Sequence, residues 1–94
     1  MKGEPGGRTA TIQTVQKSVS SPVYARFRSL LIETRKRAGL NQAELAERLG
    51  KPQSYVSKYE TGERRLDVLE FITLARRMGA DPVRLLGRLL RSME

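Results

Sequence analysis

From residue 21 onward the apolar residues fall in short blocks that recur at helical intervals, the first four each closed by a glycine. Tyr24, Phe27, Leu31 and Ala38, with Leu30 beside them, line one side of a first predicted helix. Ser21 can cap its free amides, Pro22 suits its first turn, and Arg35, Lys36 and Arg37 set positive charge at its negative end before Gly39 stops it. A second helix opens at Asn41, with Glu44 in capping-box position, carries Leu45, Ala46 and Leu49 on its apolar stripe, and closes at Gly50. A third begins around Pro52 and runs to about Glu60, with Val56 and Tyr59 inward and Gly62 as its stop. A fourth starts near Asp67, follows Val68, Phe71, Ile72, Ala75 and Met78, and ends at Gly79. Asp81 and Pro82 open a fifth.

The fifth helix has Leu85, Leu86, Leu89 and Leu90 on one broad side and Arg84, Arg88 and Arg91 on the other. Leu85 and Leu86 are expected to close the core, and Leu89 and Leu90 to be available for contact with a second copy. No internal repeat and no convincing strand interrupts this run of helices.

Residues 1–21 read differently. Gly, Ser, Thr and Gln dominate, and Met1, Ile12, Val15 and Val19 are the few large apolar residues. The expectation is a flexible N-terminal arm followed by one helical domain over residues 22–94. The alternating stretch Thr9 to Val15 also admits a short strand. Lys2, Arg8 and Lys17 against Glu4 suit either a basic arm that touches DNA or a partner, or an untethered terminus.

Composition narrows the function. Eighteen Lys and Arg against ten Asp and Glu give a net charge of +8 over 94 residues, which favours an anionic partner. With no Cys there is neither a disulfide framework nor a thiolate metal site, and with no His the commonest general base and metal ligand is missing. No Gly-rich phosphate loop follows a strand, and nothing pairs Glu44 and Glu47 as acid and base. The expectation is therefore a protein that is not an enzyme and that uses no cofactor or metal. No apolar run is long enough for a membrane span or a signal peptide, so a cytoplasmic location is the default expectation.

The second and third helices are too short to persist alone in water. Two such helices, held at a steep angle by a tight turn and supported by neighbours, let one cross a DNA backbone while the other enters the major groove. Ala46 and Gly50 are small where the two must pass closely.

The stretch "GLNQAELAERLGKPQSYVSKYETGERR" resembles the Cro/CI family of phage repressors, the XRE-type helix-turn-helix regulators. Gln42-x-x-Leu45-Ala46 near the start of the second helix, Gly50 at its end and "VSKYETG" across the end of the third carry the likeness. It continues through "LDVLEFITLARRMGADP" and covers roughly residues 24–83. The resemblance implies an all-α, compact five-helix bundle of the lambda repressor-like kind. It also implies binding to double-stranded DNA, usually as a homodimer on a two-fold symmetric site. By position, Asn41 and Gln42 would lie against DNA, with Gln42 on a phosphate and bracing Gln53. Gln53, Ser54, Ser57 and Lys58 would face the groove, Arg64 and Arg65 would reach phosphates, and Arg35 and Glu60 would form the family's structural ion pair. The sequence departs from the family pattern at Lys51, where the turn is usually apolar, and at Pro52, where the cap is usually Ser or Thr.

The residue chemistry agrees with such a role. A Gln amide offers donor and acceptor together and can pair with adenine N6 and N7. Lys58 could donate to guanine or to a phosphate, and the hydroxyls of Ser54 and Ser57 serve either target. Tyr55 is placed on the polar side of the helix, open to a phosphate, to a thymine methyl or to packing on a neighbouring helix. Two functions remain in view: a sequence-specific transcriptional regulator, most simply a repressor, and an antitoxin-like adaptor on the same fold whose main business is a partner protein.

Overall fold

The computed structural model describes residues 21–94. Over these residues the chain forms five helices and no strand: α1 (Pro22–Arg37), α2 (Gln42–Leu49), α3 (Gln53–Thr61), α4 (Val68–Arg77) and α5 (Pro82–Ser92). The expected N-terminal arm lies outside the described residues, apart from Ser21.

Four helices start on side-chain caps. Ser21 Oγ accepts from the Tyr24 amide at 3.0 Å, and Asp81 Oδ1 accepts from the Val83 amide at 2.9 Å. Asn41 with Glu44 and Asp67 with Glu70 each close a full capping box, in which the third residue of the helix reaches back to the cap amide. The exception is α3. It begins at Gln53 rather than at Pro52; Pro52 is the cap residue, in extended conformation, and offers no side-chain acceptor. The turns after α2 and α3 run through Gly50 (φ +67°) and Gly62 (φ +88°), left-handed conformations that strain any residue with a Cβ.

The core centres on Leu31, Leu45, Val56, Tyr59 and Leu74, all essentially closed to solvent, with Leu40, Ala46, Ala75, Met78 and Leu85 around them. α2 packs chiefly on α3, α1 on α3 and α5, and α4 on α2 and α5. The edge of this core is an aromatic ladder, Tyr24–Phe27–Phe71, with ring centroids 5.4 and 5.6 Å apart. The Tyr24 hydroxyl accepts from the Leu66 amide at 3.2 Å and so ties the α3–α4 loop to the start of α1.

Three positions differ from expectation. Ala38 is exposed because α1 has already ended at Arg37 and its chain turns away. Val68 is 70% exposed, since the first turn of α4 extends past the α1 aromatic ladder. Leu86 is 47% exposed; only Leu85 of α5 reaches the closed core, because α5 meets the bundle along a single narrow seam. Leu40 and Leu74, both buried, are core residues that the helical periodicity did not single out.

Candidate nucleic-acid interface

α2 and α3 are joined by Gly50, Lys51 and Pro52 and pack closely on one another. The Lys51 amide donates to the Ala46 carbonyl at 3.0 Å, which closes the α2 end in the left-handed turn. α3 then buries Val56, Tyr59 and Glu60 and exposes Gln53, Ser54, Lys58 and Thr61, with Ser57 half-buried between them. The helical period puts Ser54, Ser57, Lys58 and Thr61 on one outward strip. Thr61 belongs to that strip although sequence reading passed it over; its place a turn beyond Ser57 was the available signal.

A buried polar network sets the attitude of α3. The Arg35 guanidinium donates to both carboxylate oxygens of Glu60, Nε–Oε2 at 2.8 Å and Nη2–Oε1 at 3.1 Å, and to the Leu40 carbonyl at 2.8 Å. Gln42 Nε2 donates to Glu60 Oε1 at 2.8 Å, and Gln53 Nε2 donates to Gln42 Oε1 at 3.4 Å. The chain of contacts therefore runs from α1 through α3 and α2 to the first residue of α3. The hydrogen bonds it donates to Glu60 hold the Arg35 guanidinium above its ordinary pKa against the opposing effect of burial. At the other end of α3, Arg28 donates to the Glu60 carbonyl at 3.2 Å, placing a cation against the negative end of the helix.

A second cluster flanks the outward strip. The Tyr55 ring is half-buried, packed against the core and edge-on to Tyr59 at 5.9 Å between centroids. Lys51 Nζ lies 5.5 Å from its centre and the Arg64 guanidinium carbon 4.7 Å. Arg64 also grips Glu70 with both terminal nitrogens, Nη2–Oε2 at 2.7 Å and Nη1–Oε1 at 3.2 Å, and donates to the Arg65 carbonyl at 2.9 Å. The Arg64 hydrogen bonds, followed by the Asp67 amide, hold the Glu70 carboxyl down to about 2. Burial, and then the charge of Glu70, push the Tyr55 phenol up. Tyr55 is thus a shared wall rather than a freely polar residue.

The sequence-predicted residues fall into three groups. Gln42, Gln53, Ser54, Ser57 and Lys58 lie together on α2 and α3, and Asn41 caps α2 beside them. Arg64 and Arg65 do not act as an equivalent pair: Arg64 is engaged by Glu70, whereas Arg65 is exposed, 6.0 Å from the Tyr24 ring centre. Among the described residues Lys51, Lys58 and Arg65 make no ion pair. Leu89 and Leu90 lie apart from all of these, on α5; Leu89 is half-buried and Leu90 is 54% exposed. Among the described residues no cluster of acidic side chains could hold a metal ion, and no helix is long and apolar enough to cross a membrane.

A helix-turn-helix family model matches residues 31–85, from the middle of α1 to the first turn of α5. Among solved structures, the chain is similar to an XRE-family like protein from Pseudomonas syringae pv. tomato str. DC3000, with 46% identity and a TM-score of 0.77. The match covers 86% of this chain and 99% of that one. No curated relative matches the sequence.

Proposed function

The chain belongs to the XRE-type helix-turn-helix family of DNA-binding transcription regulators, and we propose on that premise that it reads a specific duplex sequence with α3 in the major groove and acts as a cytoplasmic repressor. The observation that carries this reading is the outward strip of α3. Its polar side chains are exposed, and the buried Arg35–Glu60–Gln42 network fixes its angle. Gln53 is the base-reading candidate, since its amide can address both polar edges of an adenine. Gln42 holds the Gln53 amide and faces a phosphate with its neighbour Asn41. Ser54, Ser57 and Thr61 supply short hydroxyls, and Lys51, Lys58 and Arg65 supply charge to the sugar-phosphate walls. Selection from a pool of random duplexes tests the reading. Recovery of a defined site supports it, and a bound pool with no sequence preference overturns it.

The proposed assembly is a homodimer through α5. Val83, Leu86, Leu90 and Met93 are each about half exposed or more, and their spacing sets them along one side of the helix. Leu90 belongs to this stripe, and half-buried Leu89 lies beside it. A dimer brings two copies of α3 to one face of a duplex, which calls for a palindromic site. The same stripe is what an adaptor for another protein would use. Gel filtration with light scattering separates the readings: a dimer supports the regulator, and a strict monomer without duplex affinity at low salt supports the adaptor.

A further inference from the structure

Arg64 stands at the rim of the α3 face, yet its charge is already answered within the molecule. Both terminal nitrogens lie on the Glu70 carboxylate, at 2.7 and 3.2 Å. One face of the guanidinium lies against Tyr55, a residue of α3 itself. Glu70 in turn is fixed from behind: its Oε1 accepts from the Asp67 amide at 3.0 Å, as part of the α4 capping box. A carboxylate held this way presents Arg64 with the two-point geometry that a phosphate would offer. It also differs from Glu63, in the loop beside Arg64, whose carboxylate among the described residues meets only the Thr61 hydroxyl, at 3.3 Å.

We propose that Glu70 is a positioning residue that limits backbone affinity: it occupies the Arg64 fork as an internal substitute for phosphate and so withholds one cation from the DNA backbone. Phosphate attraction is blind to sequence, so a withheld cation lowers the affinity for every duplex while leaving base reading intact. The ratio between cognate and non-cognate binding is unchanged by such a brake; what it lowers is the hold of a protein with a +8 surplus on every duplex it meets. The inference rests on the DNA-facing role of α3 proposed above.

The test measures binding to a non-cognate duplex across a salt series. Glu70→Gln keeps an amide oxygen for the Asp67 cap, so the start of α4 survives; a thermal melt verifies it. Releasing Arg64 is expected to steepen the slope of log K against log salt by about 0.9, equivalent to one added phosphate contact. The variant then loses about 3- to 4-fold more affinity than wild type between roughly 50 and 200 mM salt. The gain disappears when Arg64→Ala is added, and Glu63→Gln, the same charge change in the loop next to Arg64, leaves the slope unaltered. In the wild-type background Arg64→Ala alone also leaves the slope unaltered, a measurement that stands even where Glu70→Gln fails to fold. The proposal is overturned by a slope that flattens on Arg64→Ala, by an equal response to Glu63→Gln, or by a Glu70→Gln effect that persists without Arg64. Wild-type protein with no affinity for any duplex overturns the α3 reading itself, whereas normal wild-type binding with an inert Glu70→Gln overturns the brake alone.

Discussion

Arg35 on α1 grips the carboxylate of Glu60 on α3 through two nitrogens, with both side chains nearly closed to solvent. Such a pair orients more than it stabilises, because each charge has been taken out of water to make it. Breaking one side is another matter. Arg35→Met leaves Glu60 buried with only the Gln42 amide as partner and is expected to cost about 3–5 kcal/mol of folding stability. The double variant Arg35→Met, Glu60→Leu is expected to recover most of that loss. Urea denaturation of the three proteins checks both points, and a single variant within about 1 kcal/mol of wild type would contradict the burial argument.

Gln53→Ala is expected to cost about 1–3 kcal/mol at a selected duplex while leaving non-cognate binding nearly unchanged. Gln42→Ala, which frees the Gln53 amide, is expected to weaken both. Titration of the two duplex types separates them. Equal losses on both duplexes from Gln53→Ala would remove its base-reading role.

Gly62 and Gly50 differ in what surrounds them. A Cβ on either residue meets the strain of the left-handed backbone, about 1–2 kcal/mol. At Gly62 it would also lie 3.3 Å from the Arg28 guanidinium, whereas at Gly50 nothing stands within 4 Å. Gly62→Ala is therefore expected to melt lower than Gly50→Ala. Reversal of that order in calorimetry would mean that Arg28 yields without loss.

If the proposed dimer forms through α5, Leu86→Glu and Leu90→Glu together are expected to yield a monomer without lowering the melting temperature of the isolated bundle, since neither side chain reaches the closed core. Sedimentation at several concentrations reads the outcome. Persistence of the dimer would move the interface elsewhere.

Acid should unfasten the Arg64–Glu70 pair. With the Glu70 carboxyl at about 2 in the folded state and near the ordinary value of about 4.3 unfolded, its contribution is complete above that higher value and fades as pH falls toward the lower. The stability advantage of wild type over Glu70→Gln is expected to be level at neutral pH and to shrink below about pH 4. An advantage that grew on acidification would contradict the sign.

The caps were the most legible part of the fold. Ser21, Asn41, Asp67 and Asp81 announce helix starts by residue type, because only short polar side chains reach back to the free amides. Pro52 has no such side chain, and that is where the reading was a residue out. Leu40 falls outside any periodic stripe because it sits in the turn between α1 and α2, and it is buried as part of the central core cluster. Leu86 misled for the opposite reason: periodicity tells which residues share a side, but not whether a neighbour covers it. The hold of Glu70 on Arg64 links a loop to a helix start six residues later, and its existence depends on the path of the loop, which residue spacing does not encode.

The narrow seat of α5 has a consequence for target geometry. Its apolar stripe is joined to the reading helix only through the rest of the bundle, so in a dimer built on that stripe the distance between half-sites follows from how α5 seats on α1 and α4, through Leu85 and the Arg88–Glu33 pair. Repacking that seat, by a larger side chain at Leu85, would tilt the stripe relative to α3. The protein would then prefer an operator with a different gap between its halves, while every base it recognises stayed the same.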